Sequence, residues 1–149
     1  MTRRPFRLAT LKRLREAERD RRRSDLADAL AAEQLLCEKI DRLSHEASAW
    51  QRQVRHAGSG RLDVDQLAQA NRYRWLMTAQ RQQLLSQRER LQAEIERRRA
   101  ALVEADRELK AVEKLEQRHQ HAEQAWLLRQ EQKRLDEIGN RLSPLEEAE

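Results

Sequence analysis

Leu26, Ala29, Glu33, Leu36, Ile40, Leu43, Ala47, Trp50 and Val54 recur at alternating spacings of three and four, and eight of these nine are apolar. A second series behaves the same way. Leu84, Arg88, Leu91, Ile95, Arg98, Leu102, Ala105, Leu109 and Val112 keep the rhythm with seven of nine apolar. A sustained three-four repeat with charged flanks is the seam of a coiled coil, and it is too narrow for the face of a wide bundle. Between the two series lies "HAGSGRLDVD", residues 56–65, with two of the three glycines. Glycine costs about 1 kcal/mol inside a helix, and Gly-Ser-Gly permits a tight reversal. The pattern predicts an all-α fold, a long antiparallel two-helix coiled coil (helical hairpin). Helix 1 is placed at about 5–56, the turn at about 57–62 and helix 2 at about 63–139, in a single elongated hairpin spanning 1–149.

The expected ends follow from local chemistry. Pro5 suits the first helical position, and Asp63 or Asp65 suits the cap of the second helix. Gly139, with Pro144 beyond it, is expected to stop that helix. Folding at about residue 60 pairs positions whose numbers sum to roughly 120. Leu36 then meets Leu84, Leu43 meets Met77, Trp50 meets Ala70, and Glu33 pairs with Arg88 across the seam. The same register sets Arg22 opposite Arg98, a repulsive layer. Helix 2 is the longer, so about 117–149 forms an overhang. Its apolar residues Leu128, Leu135, Ile138, Leu142 and Leu145 keep three-four spacing in a different phase, as a surface awaiting a partner or a fraying end would.

Composition changes the picture in two ways. Hydrophobic and charged residues each make up 38% of the chain and aromatics only 3%, too little apolar mass for a globular core of 149 residues and typical of long helices. Charge is uneven: residues 1–25 carry ten basic and four acidic side chains, a net of +6, against +5 for the whole chain. In this stretch "LREAERDRRRSD" offers little to bury, and pairs such as Glu18 with Arg22 and Arg21 with Asp25 are expected to hold it as a solvated helix. A basic end of this kind suits an acidic protein surface, nucleic acid or an anionic membrane.

Chemistry is not indicated. There is no phosphate-binding glycine loop and no nucleophile with a base at hand. His119 and His121 are two apart on a helix and point about 200° from each other, so they cannot share a metal. Cys37 reads as a small half-buried filler, and a lone cysteine fits a reducing compartment. No run approaches a membrane span or a signal peptide, so a cytoplasmic place is expected. Neither enzyme activity, nor a cofactor, nor a small-molecule substrate is expected. Of the five aromatics, Trp50, Tyr73 and Trp75 gather near the turn with Leu76, as a docking patch would.

"FRLATLKRLREAERD" at 6–20 resembles the opening of the FliJ family of flagellar export proteins, with Phe6, Leu8, Leu11, Leu14 and Arg15 at the matching places. "RRRAALVEADRELKAVEKLEQRHQ" at 97–120 is similar to the family's second signature through Ala105, Lys110, Glu113, Lys114 and Leu115. "QKRLDEIGNRL" at 132–142 resembles its close through Asp136 and Glu137. The aromatic cluster near the turn departs from the family pattern. The resemblance implies a component of the flagellar type III export apparatus, similar to the central stalk of rotary ATPases, in the cytoplasm and peripheral at the inner face of the cell membrane. It implies that the chain ends (Leu8, Leu11, Arg15, Arg19, Arg22, Leu128, Leu135 and Ile138) engage the export ATPase ring. The turn side (Trp50, Tyr73, Trp75 and Leu76) would meet the membrane export gate and export chaperones. Injectisome stalk proteins share this architecture. Two other classes compete: a basic coiled coil that binds nucleic acid, which lacks aromatic stacking residues at its basic end, and a generic scaffold coiled coil, which would not fold its seam back at a glycine break.

Overall fold

A computed structural model describes residues 7–58, 60 and 63–142. Two helices account for almost all of them: α1, Ala9–Ala57, and α2, Val64–Leu142, of 49 and 79 residues, packed against each other as a hairpin. No strand occurs among the described residues. Helix α1 closes with the Gly58 amide donating to the Val54 carbonyl at 2.9 Å. Helix α2 opens on Asp63, whose carboxylate accepts from the Asp65 amide at 3.4 Å while its carbonyl accepts from the Leu67 amide at 3.1 Å. Of the two expected caps, Asp63 is therefore the one used. Pro5 and Leu145 lie outside the described residues, as does much of the turn.

Two boundaries differ from the sequence expectation: α1 begins at Ala9, with Arg7 and Leu8 in a turn, and not at about residue 5. Gly139 does not stop α2, which runs on to Leu142. A glycine breaks a helix only when the chain gains by leaving it, and the roughly 1 kcal/mol it costs is spread over a helix already many turns long.

The chain divides into two compact units, Asp20–Val103 and Met1–Arg19 with Glu104–Glu149. In the 20–103 unit every expected seam residue is withdrawn from solvent: the nine from Leu26 to Val54 on α1, and Leu84, Arg88, Leu91, Ile95, Arg98 and Leu102 on α2. Ala29, Ile40, Met77 and Ile95 are buried, Ile95 to 2% exposure. Most of the side chains between them on each helix face water, which is why so charged a sequence folds on so thin a stripe.

The register sits about three residues from the one expected. Trp50 stacks on Tyr73, not Ala70, with ring centroids 4.6 Å apart and planes tilted by 54°. Leu43 shares a groove with Gln80 and Leu84. Arg98 does not face Arg22 in a repulsive layer; it donates to the Asp25 carbonyl and, at 3.0 Å, to Glu94. The three contacts shift in the same direction, although α1 and α2 end and begin within two residues of the places expected. Glu33 does meet Arg88, at 3.9 Å, but its carboxylate accepts its hydrogen bond from Gln92 at 3.1 Å, one turn further along α2.

That leaves the Arg88 Nε buried and without a hydrogen-bond partner. An unsatisfied buried donor costs about 1–3 kcal/mol, more than so long an ion pair returns. Arg88→Leu should therefore raise stability by about 1 kcal/mol, because Glu33 keeps Gln92 and the seam gains an apolar layer. Urea unfolding checks it; a lower midpoint would mean the ion pair outweighs the orphaned donor.

Candidate partner-binding site

In the second unit, residues 1–19 with 104–149, the two helices contribute unequally. Helix α2 supplies an apolar stripe, Ala105, Leu109 and Val112, all buried. Helix α1 answers with half-buried Leu11 and with charged side chains, while Leu14 faces outward. Lys12 Nζ reaches Glu116 at 2.6 Å, and Arg15 pairs with Glu108. Both side chains are half-buried, as long cationic side chains are when their stems lie on apolar surface and their charge reaches its edge. The charged opening of α1 is thus held across the hairpin, by contacts that pairing within one helix does not reveal. Matching acids on α2 to bases on α1 in register would have found both contacts. Glu116 keeps Lys12 protonated to higher pH than usual, first through the hydrogen bond and then through its charge.

Beyond Glu116 the same face stays half-buried through His119, Glu123, Leu127 and Gln130, and the remaining large aliphatic side chains lie off it. Leu128, Leu135 and Ile138 are 62%, 67% and 55% exposed. Large aliphatic side chains at three-four spacing on the outside of a helix are the mark of an interface awaiting a partner. Leu8, just before α1, lies at the border of exposure, and Arg19 is half-buried. Arg22 is exposed but belongs to the other unit. Nothing is described of the Leu142 side chain.

In the 20–103 unit the turn-side residues do not form one patch. Trp50 and Tyr73 pack on each other, Trp50 half-buried, whereas Trp75 is 74% exposed and Leu76 is exposed on a different side of α2. The two-residue offset between Tyr73 and Trp75 forces this split. Further along, Glu94 accepts from Arg98 and pairs with Arg97 at 2.8 Å. The hydrogen bond from Arg98, then the charge of Arg97, hold its carboxyl below the ordinary 4.5. A lowered folded-state value adds stability above the unfolded value and loses it as pH falls through the folded one. Thermal midpoints should therefore drop below pH about 4.5, and Glu94→Gln should flatten that drop. Identical pH profiles for the two proteins would assign the acid sensitivity to other carboxylates.

Among the described residues no group of three or more His, Cys, Asp or Glu could hold a metal ion, and no helix is long and apolar enough to cross a membrane. His121 is exposed and His119 half-buried, and Cys37 is half-buried and free. A family model described as flagellar FliJ protein matches residues 4–145. The chain belongs to the FliJ family. The match spans both helices, so all three stretches that resembled the family fall inside it. FliJ membership makes this a flagellar type III export-related protein, from a family of non-enzymatic export components. No curated protein and no solved structure matches the chain.

Proposed function

We propose that this FliJ-family chain is a stalk-like coiled coil of the flagellar export apparatus, cytoplasmic and peripheral at the inner face of the cell membrane. Its chain ends engage the export ATPase ring, and its turn side meets the export gate and export chaperones. It works without catalysis, cofactor or small-molecule substrate. The observation that carries this is the exposed aliphatic series Leu128, Leu135 and Ile138, on a helix that continues past the Lys12–Glu116 pair. Such a series gains most by entering an apolar sleeve, and the basic first turns of α1 suit an acidic rim around it.

The test is a pull-down with purified export ATPase, scored for ring assembly and ATP turnover. Charge reversal at Arg19 and Arg22 should weaken stimulation and make what remains more salt-sensitive, since exposed charges are screened beyond about 10 Å at 0.1 M salt. Arg15→Glu should weaken it too, but also sets like charges side by side at Glu108, so it needs a stability measurement beside it. Arg98 is tied into the seam, so the control reverses only the exposed Arg97 and Arg99, with helix content checked; if that abolishes stimulation while the Arg19 and Arg22 reversals keep it, the ends are assigned to the wrong partner.

A further inference from the structure

Helix α2 carries a second three-four series near its start, on the side away from the hairpin seam. Val64, Ala68, Asn71, Trp75, Thr78 and Gln82 recur at spacings of four and three, and all six are exposed. At about 100° per residue this line runs nearly opposite buried Met77. It is uncharged throughout. The Thr78 hydroxyl donates to the Arg74 carbonyl at 2.8 Å, which satisfies its polar group within the helix. Val64 and Trp75 are the large apolar members, at 78% and 74% exposure.

The flanks carry the specificity. If the series supplies the a and d places of a heptad, the adjoining e and g places hold Asp65 and Leu67 at the start of the helix, then Arg72, Arg74, Ala79 and Arg81, so the flank around Trp75 is basic. None of the three arginines forms an ion pair among the described residues. From Gln66 to Arg88 the helix has four arginines and no acid. Residues flanking a coiled-coil seam choose the partner by charge. A second copy of this chain would set arginine against arginine, so self-association on this face is opposed.

We propose that this outer face of α2 docks an amphipathic helix of another protein whose own seam is flanked by Asp and Glu. Trp75 is the anchor, and the small residues either side let the partner backbone approach. With a single large aromatic and a polar Asn71 in the stripe, the contact is a hot spot with a shallow surround, suited to reversible binding. The assignment deepens the placement of partners at the turn side and separates it into two faces: Trp75 serves this one, while Trp50 and Tyr73 pack within the hairpin.

The probe is a pair of synthetic amphipathic helices about three heptads long with leucine at the seam, one flanked by Glu and the other by Lys. Titrated into the full chain at low salt, the Glu-flanked peptide should bind at least about tenfold tighter. Reversal to Glu at Arg72, Arg74 and Arg81 should invert the preference. Trp75→Ala should weaken the Glu-flanked peptide about tenfold or more, and Trp75→Phe should largely restore it. These positions are exposed, so helix content by circular dichroism should not change. Equal binding of the two peptides, no binding, or binding indifferent to Trp75→Ala overturns the proposal. So does Trp75-dependent binding to phosphatidylglycerol vesicles in place of the peptide, which would make the face a lipid contact. No export component enters the experiment, so its failure leaves the ATPase assignment standing.

Discussion

Ending the chain after Glu116 should leave a folded hairpin that no longer stimulates the export ATPase. Among the described residues the last fully buried side chain on α2 is Val112, and Lys12 holds the first turns of α1 to Glu116, so truncation there keeps both and removes the half-buried Leu127 but no fully buried described residue. It does remove Leu128, Leu135 and Ile138, whose exposure means they add little to the isolated fold. The loss should therefore appear in ATP turnover and ring assembly, with a urea midpoint close to that of the full chain. The double substitution Leu135→Glu and Ile138→Glu should reproduce it in a chain of full length. A truncated chain that stimulates normally would remove the C-terminal stretch from the ATPase contact. A truncated chain that unfolds would show that α2 beyond Glu116 stabilises the hairpin.

Ile95→Ala should be among the most destabilising single changes in the molecule. Ile95 is the least exposed residue of the 20–103 unit, in a seam one or two side chains wide. Truncating a buried isoleucine costs about 2–5 kcal/mol in a globular core, from lost transfer energy and the cavity left behind. Two helices can close a gap by drawing together, so about 2–3 kcal/mol is expected here. Leu91→Ala, one turn away and only half-buried, should cost less. Equal effects at the two positions would mean that burial does not rank the seam.

Fold class was legible because a coiled coil writes its contacts as a period, and all eighteen residues of the two series are withdrawn from solvent. Register was less so. The three-four repeat is indifferent to sliding by a heptad, and the only fixed points, Gly58 and Gly60, do not give the length of the reversal. An error of about three residues moved Trp50 from Ala70 to Tyr73 and Arg98 from Arg22 to the Asp25 carbonyl. The cross-helix pairs Lys12–Glu116 and Arg15–Glu108 were missed for the same reason, since they exist only once the register is known. Of the candidate site, the exposed α2 residues near the C-terminus were readable because they break phase with the seam. The outer line through Trp75 was not, because Asn71, Thr78 and Gln82 make it inconspicuous by hydropathy and only exposure and flank charge bring it out.

The arginine triplet Arg97, Arg98 and Arg99 bears on how the molecule meets a polyanion. Arg97 and Arg98 pair with Glu94, and Arg99 pairs with Glu96 at 2.7 Å. The three cations share two carboxylates held far closer than the roughly 10 Å screening length of 0.1 M salt, so beyond that distance this stretch acts as one net positive charge and not three. The isoelectric point of about 10.0 counts these arginines in full. A phosphate backbone would still shed its own condensed counterions to them, but each contact must first displace a carboxylate, and that cost is subtracted from the gain. The affinity of this chain for heparin or DNA should therefore fall short of its formal charge, and its unneutralised arginines are left to discriminate among acidic proteins.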